Sequence, residues 1–267
     1  MNSTLPASET RALLTINDGV ASIVLNGARN GNAIDVALAK DLKEALHRCE
    51  QQKDVRVVLL SGNGRIFCAG GDLSAIHQRG EKGPDYVSEI LSHLHEAILT
   101  IARLPVPVVA GVHGAAAGAG LALACSCDLA IAAESARFIL AYGRVGLTPD
   151  GSSSWFLPRL IGVRRSLELA LLGRELSARE ALDWGLINEV VADAALPARL
   201  NEIGRALNDG AVAAFGEAKR LLRHSLERDL ETQMTDELET LRNAVRGPEA
   251  RIGMEAFLKK GAPKFRG

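Results

Sequence analysis

The chain has 267 residues, of which 47% are hydrophobic and 24% are charged, a balance typical of globular proteins with enough apolar residues for a core. Its formal net charge of −1 provides no basic excess for a nucleic-acid backbone, so we do not expect general nucleic-acid binding. Four cysteines in a chain of this length indicate no disulfide framework and are typical of a protein in the reducing cytoplasm.

Neither a signal peptide nor a membrane span is predicted. Residues 1–10 lack the basic and then apolar pattern of a secretory leader, and we expect them to be disordered. The most apolar stretch, 105–133, is interrupted by His113, Asp128 and several glycines, which is typical of a buried α/β core. We therefore expect a cytoplasmic protein without a membrane partner.

The first half of the chain alternates predicted strands with predicted helices. Apolar runs at 11–16 and 20–25 flank Asp18-Gly19, a pair typical of a hairpin turn. Apolar residues at helical spacing predict a helix over 35–52, with Asp35 as its N-cap. Further buried strands are predicted at 55–60, 106–111 and 128–133, and further helices at 84–103 and 118–125. This alternation predicts an α/β fold.

The last third of the chain is predicted to be almost entirely helical. Ser177 is placed to cap a helix over 178–184. Later helices are predicted at 195–208, 211–226, 229–244 and 248–260. The sequence thus divides into an α/β core over 11–195 and a helical C-terminal region over 196–267.

Two glycine-rich segments each follow a predicted strand and precede a predicted helix. In 62–73 (GNGRIFCAGGDL), the residues 69–71 have almost no side chain, so a ligand can approach their backbone closely. In 111–120 (GVHGAAAGAG), backbone N–H groups lie at a helix start, where they are ready donors to an anionic oxygen. The second segment lacks the lysine of a phosphate-binding loop and the G-x-G-x-x-G spacing of a dinucleotide site. Taken alone, the first segment is equally compatible with a plain strand-to-helix turn.

A series of short segments occurs in a specific order and spacing along nearly the whole chain. They are Leu25-Asn26 with Asn32-Ala33, 67–73, 107–120, Cys127-Asp128, Phe138, 146–151 (GLTPDG), 157–162 (LPRLIG), Ala181 with 184–187, and 257–265. Each segment is loose by itself. In this order, however, they closely resemble the crotonase family, that is, the enoyl-CoA hydratases and isomerases.

The resemblance implies a crotonase-type spiral of β-β-α units, trimers or dimers of trimers formed through the helical C-terminal region, and a coenzyme A thioester as substrate. It also implies an oxyanion hole formed by the N–H groups of Ala69 and Ala119, one in each glycine-rich segment. Such donors stabilise an enolate oxygen more than a ground-state carbonyl. Because coenzyme A is part of the substrate, we expect no separate cofactor, and no metal site is predicted.

The chain departs from the family at two catalytic positions. Typical hydratases of this family use two glutamates, which the resemblance places where this chain has Ala122 and Tyr142. Asp150 is the carboxylate that remains. It resembles the single aspartate of a branch that includes 1,2-epoxyphenylacetyl-CoA isomerases and Δ3,Δ2-enoyl-CoA isomerases. A helix N-cap is the alternative role for Asp150, and as a base it requires burial to raise its pKa.

Other substrate contacts follow from the resemblance alone. The residues implied are Arg29, Gly70, Gly71, Asp72, Leu73, Gly118, Tyr142, Phe257 and Lys260. Arg29 and the 69–73 backbone lie under the adenine end of coenzyme A, and Phe257 and Lys260, from this or a neighbouring subunit, reach its ring and phosphates. Tyr142 either orients the substrate or fills the space of the absent glutamate. Asp72 is better explained as the cap of the helix that follows it.

These features predict an acyl-CoA isomerase that shifts a double bond or rearranges a thioester through an enolate, with Asp150 as general acid/base. The alternatives are an enoyl-CoA hydratase in which Asp150 positions water, and a non-catalytic or RNA-binding homologue. His93 and His95 lie on different faces of a predicted helix and do not predict a metal site. A structural role is favoured for His113 and for the cysteines.

Overall fold

A computed structural model describes residues 10–266. Its strands are β1 (Ala12–Asn17), β2 (Val20–Leu25), β3 (Val57–Gly62), β4 (Val108–Val112), β5 (Ala115–Ala117), β6 (Leu129–Ala133), β7 (Arg137–Ile139), β8 (Glu175–Ser177) and β9 (Glu189–Val191). Its helices are α1 (Val36–Gln51), α2 (Leu73–Gln78), α3 (Gly83–Arg103), α4 (Ala119–Ser126), α5 (Ser153–Ile161), α6 (Val163–Leu172), α7 (Ala178–Asp183), α8 (Leu196–Asp209), α9 (Val212–His224), α10 (Leu230–Arg246) and α11 (Pro248–Leu258). The predicted α/β fold is confirmed. The prediction of disorder over 1–10 falls, except for Thr10, outside the described residues.

The larger sheet has six strands in the order β1-β2-β3-β4-β6-β9. Strands β1 and β2 form the predicted antiparallel hairpin, and Asp18 and Gly19 turn the chain with positive φ angles. The other strands pair in parallel. Because parallel strands end at the same edge of a sheet, the two glycine-rich segments, which follow β3 and β4, lie at that edge together.

A second sheet of three short strands, in the order β5-β7-β8, extends from the second glycine-rich segment. The isolated parallel bridge between Cys68 and Ala116 ties this sheet to the first segment. In this bridge the Cys68 N–H donates to the Ala115 carbonyl at 3.0 Å, and the Ala117 N–H donates to the Cys68 carbonyl at 2.9 Å. The two glycine-rich segments are therefore held against each other by backbone hydrogen bonds.

Side chains of the larger sheet alternate between two apolar layers. Val58 and Leu60 of β3 face the layer that includes α1 and α3, and Val57 and Leu59 face the opposite layer, which α8 covers. Helix α8 begins where the helical C-terminal region was predicted to begin, and it packs directly on the sheet. The described chain after Ser177 is almost entirely helical, as predicted, and its one strand there is the three-residue β9, which adds an edge strand beside β6.

A buried ionic group connects α9 to the core. Asp128, which precedes β6, accepts hydrogen bonds at 2.8 Å from the Val108 N–H and from Arg223, and Lys219 lies 2.8 Å from its Oδ2. Lys219 also donates to the Ile101 carbonyl at 2.7 Å. Burial lowers the pKa of Lys219, and the charge of Asp128 opposes that shift. Residues of α9 thus satisfy a carboxylate at the start of a core strand.

Helix α7 begins at the predicted cap, where Ser177 and Glu180 form a reciprocal capping box. The Ser177 hydroxyl accepts from the Glu180 N–H at 3.3 Å, and the Glu180 carboxylate accepts from the Ser177 N–H at 2.9 Å. We expect Ser177→Ala to lower the free energy of unfolding by about 1 kcal/mol in urea titrations. Ser225→Ala is the matched control, since the Ser225 hydroxyl is exposed and donates only to the Leu222 carbonyl. Equal losses in the two variants would contradict the capping role.

Candidate active site

A cavity of about 350 Å³ lies where the two glycine-rich segments meet α3 and the chain segment 141–150. Eight of the residues predicted to act in catalysis or substrate binding line it. They are Ala69, Gly70, Gly71, Leu73, Gly118, Ala119, Tyr142 and Asp150. The remaining wall is mainly apolar and includes Ile76, Val87 and Leu91. Segments that are distant in the sequence therefore form one site.

The backbone donor predicted at Ala69 is not free. Its N–H donates to the Gly31 carbonyl at 2.9 Å, so the prediction that this group forms half of an oxyanion hole is wrong. The reason is the conformation of Gly70, whose φ of +93° takes the chain out of the extended form. In a regular strand the N–H groups of residues 69 and 71 would point to the same side, and the turn at Gly70 separates them.

Gly71 offers a free donor in its place. The residues beside it pair with Ile34: the Gly70 carbonyl accepts from the Ile34 N–H at 2.7 Å, and the Asp72 N–H donates to the Ile34 carbonyl at 3.1 Å. Within residues 10–266 the Gly71 N–H has no acceptor, and Gly71 lines the cavity. The N–H of Ala119, the first residue of α4, is also unpaired among the described residues. The N–H groups of Gly71 and Ala119 are thus free backbone donors in the cavity wall, and that of Ala119 is at a positive helix end.

Gly70 also permits close contact between the two donor segments. A Cβ atom on Gly70 would lie 2.8 Å from the Ala117 carbonyl oxygen and 3.4 Å from the Ala119 nitrogen. The first distance is shorter than real Cβ contacts, so any other residue would push the two segments apart. The glycine is therefore required both for the backbone turn and for the proximity of the Gly71 and Ala119 segments.

Asp150 directs its carboxylate to a tyrosine and not to a helix. The Tyr142 hydroxyl donates to Asp150 Oδ1 at 2.5 Å. At the start of α5, the Ser153 N–H and hydroxyl bind the main-chain carbonyl of Asp150, at 3.0 Å and 2.8 Å. The alternative prediction that the Asp150 side chain caps this helix is therefore wrong. The carboxyl group remains available to the cavity.

The electrostatic environment of Asp150 shifts its pKa above that of an exposed aspartate. Burial raises the pKa of Asp150, as predicted, while the hydrogen bond from Tyr142 and the charge of His95 act in the opposite direction. Burial and the neighbouring Asp150 charge raise the pKa of Tyr142, which keeps its proton. Asp150 is therefore a stronger base than an exposed aspartate, and Tyr142 acts toward it as a hydrogen-bond donor.

Ala122, at the position of the first family glutamate, does not reach the cavity. It is fully buried in α4, and a Cβ atom on Gly151 would lie 3.2 Å from the Ala122 Cβ. Gly151 itself has a φ of +52°. The turn that carries Asp150 thus packs directly on Ala122. Of the two glutamate positions, only the one occupied by Tyr142 lines the site.

Four residues assigned by resemblance lie outside the cavity of this chain. Arg29 is exposed in the 3-10 turn Ala28–Asn30. Asp72 caps α2 by accepting from the Ala75 N–H at 2.9 Å, as the sequence indicates. Phe257 is 81% exposed near the end of α11, and Lys260 follows it on the surface. Contacts of these residues with coenzyme A therefore stay predictions.

His95 is a neighbour of the Asp150 carboxylate that the sequence analysis does not predict. On α3 it follows the cavity residues Val87 and Leu91 at intervals of four, so the three side chains share one face of the helix. From this position His95 favours the ionised form of Asp150. The spacing of 87, 91 and 95 in the sequence is the signal that places His95 on this face of α3.

The other reactive side chains are structural. All four cysteines are buried, and burial raises the pKa of Cys68 to about 12, so its thiol is a poor nucleophile at neutral pH. His113 Nε2 lies 3.1 Å from the Gly64 carbonyl oxygen.

In the described part of the chain, no group of three or more His, Cys, Asp or Glu side chains is arranged to hold a metal ion. No helix over 10–266 is both long and apolar enough to cross a membrane.

This chain is similar to known proteins over nearly its whole length. Residues 15–267 match the family described as enoyl-CoA hydratase/isomerase. The 1,2-epoxyphenylacetyl-CoA isomerase of Escherichia coli is 36% identical over 254 residues, which cover 94% of this chain and 97% of that protein. The 4-chlorobenzoyl coenzyme A dehalogenase-2 of an Arthrobacter species is 34% identical over 250 residues, covering 91% and 88%. A solved enoyl-CoA hydratase from Polaromonas sp. JS666 has a TM-score of 0.91 at 31% identity, covering 96% of this chain and 99% of that one. This chain is therefore a member of the enoyl-CoA hydratase/isomerase family, the crotonase family to which its ordered segments point.

Proposed function

We propose that this protein is an acyl-CoA isomerase in which Asp150 transfers a proton within an enolate intermediate. The proposal rests on the residues that line the cavity. Among the described residues that line it, Asp150 is the only carboxylic acid, and it shares the wall with the free N–H groups of Gly71 and Ala119. A base and two oxyanion donors in one apolar site are what a thioester enolate requires.

In the proposed reaction a 3-enoyl thioester binds with its carbonyl oxygen at the Gly71 and Ala119 N–H groups. The Asp150 carboxylate removes a proton from the α-carbon, and the electron pair moves to the carbonyl oxygen to give a dienolate. Asp150 then returns the proton to the γ-carbon. The carbonyl re-forms, the double bond lies between the α- and β-carbons, and the enzyme is unchanged.

The two backbone donors supply the electrostatic part of catalysis. Negative charge on the thioester oxygen develops only as the α-proton leaves, so fixed donors stabilise the enolate more than the substrate. Each such donor contributes roughly 3 kcal/mol in enzymes where one has been removed. The apolar wall, which includes Ile76, Val87 and Leu91, keeps water from the intermediate and strengthens these interactions.

The acyl group is proposed to enter this wall, with coenzyme A extending to the surface over Arg29 and the 69–73 backbone. Phe257 and Lys260 of a neighbouring subunit are proposed to contact the adenine ring and phosphates in a trimer or a dimer of trimers. Similarity to a 1,2-epoxyphenylacetyl-CoA isomerase supports a cyclic or aromatic acyl group, as in phenylacetate degradation, alongside a linear enoyl chain. Coenzyme A is then part of the substrate, and no further cofactor is required.

Hydration of an enoyl-CoA is the second candidate function, and similarity to the Polaromonas hydratase favours it. In that case Asp150 and Tyr142 would orient a water molecule toward the β-carbon. The single carboxylic acid in the cavity weighs against hydration, because one group must then both activate the water and protonate the α-carbon.

One assay separates the two activities. The protein is incubated with 3-hexenoyl-CoA, with crotonyl-CoA and with 1,2-epoxyphenylacetyl-CoA in deuterated buffer, and products are identified by proton NMR and mass spectrometry. We expect a shifted double bond or a rearranged ring, with hydration of crotonyl-CoA at least about tenfold slower. Preferential formation of 3-hydroxybutyryl-CoA would identify a hydratase. Inertness toward all three thioesters would contradict both candidates and favour a non-catalytic role.

A further inference from the structure

The two carboxylate oxygens of Asp150 have different surroundings. Oδ1 accepts the Tyr142 hydroxyl at 2.5 Å, whereas no donor among the described residues binds Oδ2. We propose that Tyr142 is a positioning residue that holds Oδ1 and leaves Oδ2 as the atom that takes and returns the substrate proton. This inference rests on the proposed isomerase function and adds a role for a residue that the family resemblance left undecided.

Both partners of this hydrogen bond are held in place. Tyr142 is buried in the turn Ala141–Val145, and its main-chain carbonyl accepts the Leu147 N–H at 3.0 Å. Its ring lies against the oxyanion segment, since a Cβ atom on Gly118 would be 3.8 Å from Tyr142 Cζ. The main-chain carbonyl of Asp150 is bound by Ser153. The Tyr142–Asp150 geometry is therefore fixed before substrate binds.

A phenol that donates to a carboxylate stabilises its ionised form. The bond from Tyr142 thus lowers the pKa of Asp150 and limits the rise that burial causes. Without this bond, burial would leave a larger fraction of the carboxyl group protonated at any given pH, and a protonated group cannot act as the base. The bond therefore orients Asp150 and also favours its ionised form.

Other charged groups face Asp150 less directly. From α3, His95 favours the ionised carboxylate, but its side chain is not hydrogen-bonded to Asp150. Arg144 lines the same cavity, and its guanidinium is engaged by Glu175 at 2.8 Å and by the Gly173 carbonyl at 2.7 Å. Helix α4 presents no ionisable side chain on its cavity side, and α5 contributes only the Ser153 hydroxyl near Asp150. The Tyr142 hydroxyl is thus the direct donor to the carboxylate.

The test is the pH dependence of kcat/KM for isomerisation in Tyr142→Phe. Because the base must be ionised, kcat/KM falls as pH drops through the pKa of Asp150. Loss of the hydroxyl raises that pKa, so the acidic limb should move to higher pH by about one to two units, while much of the rate at high pH is retained. A tyrosine that only fills space would leave the limb unmoved, because phenylalanine fills nearly the same volume.

The matched control is Tyr86→Phe. Tyr86 is the only other tyrosine of the chain, and its ring lies on α3 beneath Arg79, at 4.6 Å from the guanidinium carbon. We expect its profile to overlay that of the wild type. If the pH profiles of the wild type, Tyr142→Phe and Tyr86→Phe superpose, the positioning role is overturned. Equal shifts of the acidic limb in the two variants would overturn it as well.

A second measurement covers the case in which Tyr142→Phe fails to fold. In the Tyr86→Phe background Tyr142 is the sole tyrosine, so difluorotyrosine added to the growth medium replaces it alone. The more acidic phenol donates a stronger hydrogen bond, and the acidic limb should move to lower pH. An acidic limb that does not move overturns the inference.

The Asp150→Asn variant distinguishes failure of the proposed function from failure of this inference. If Asp150→Asn keeps full turnover, the proposed function fails as a whole. If Asp150→Asn is inactive and the acidic limb does not move, only the role of Tyr142 fails.

Discussion

The Asp150→Asn variant should lose isomerisation almost completely, with kcat lower by about 10²- to 10⁴-fold, the contribution typical of a positioned acid–base group. Asparagine has the shape of aspartate and can still accept from the Tyr142 hydroxyl, so the cavity should keep its form. Substrate binding should change little, and the loss should appear in kcat. Conversion of a 3-enoyl-CoA and exchange of its α-protons with deuterated solvent, both followed by NMR, measure the effect.

Asp72→Asn is the control for this prediction. Asp72 is the carboxylate next to the cavity segment 69–71, but it caps α2, and asparagine is an equally good cap. We expect nearly wild-type turnover from it. Wild-type turnover by Asp150→Asn would remove Asp150 from the mechanism, and similar losses in both variants would indicate a general effect of charge near the cavity.

The second large effect is expected on stability, from Asp128→Ala. This change leaves Lys219 and Arg223 facing each other without an anion and leaves the Val108 N–H without its acceptor. Removal of one member of a buried ion pair costs about 3–5 kcal/mol, because the remaining charge is left uncompensated. Unfolding in urea, followed by circular dichroism, should show a loss of this size.

Two further variants test whether burial is the cause. The pair of Glu239 and Arg242 is as short, at 2.6 Å, but both side chains are more than half exposed. Glu239→Ala should therefore cost less than about 1 kcal/mol. Adding Lys219→Met to Asp128→Ala should recover part of the loss, since it removes one unpaired charge. A small loss in Asp128→Ala itself would show that α9 does not depend on this ionic group.

Regular elements with long apolar periodicity could be predicted well from the sequence. Helices α1 and α3 have apolar side chains at helical spacing along their whole length, and the Asp35 cap fixes the start of α1. The hairpin of β1 and β2 follows from its Asp-Gly turn. In such elements the local sequence is sufficient to determine the secondary structure.

The short strands could not be predicted in this way. Strand β5 is three alanines, a sequence with no preference for extended structure, and it exists because β7 and the Cys68 bridge supply hydrogen bonds from distant segments. Three-residue strands such as β9 contain too little periodicity to be recognised. Their existence is a property of the tertiary structure.

Some groups of the candidate site could also be predicted from the sequence, and others depend on the tertiary structure. Asp150 and the two donor segments could be located from sequence, because their residue types and order are specific. The free donor could not be assigned to Gly71, because the choice depends on the positive φ of Gly70 and on the pairing with Ile34. The Tyr142–Asp150 bond could not be predicted either, since the irregular segment between them has no periodicity.

The packing of Ala122 against Gly151 limits how this enzyme could acquire a second carboxylate, whether by design or in evolution. A glutamate at 122 would meet the turn that carries Asp150, where Gly151 and Ser152 both have positive φ angles. We expect Ala122→Glu to overpack this contact and to move the turn together with Asp150. A second carboxylate at position 122 would therefore require compensating changes in the 149–152 turn.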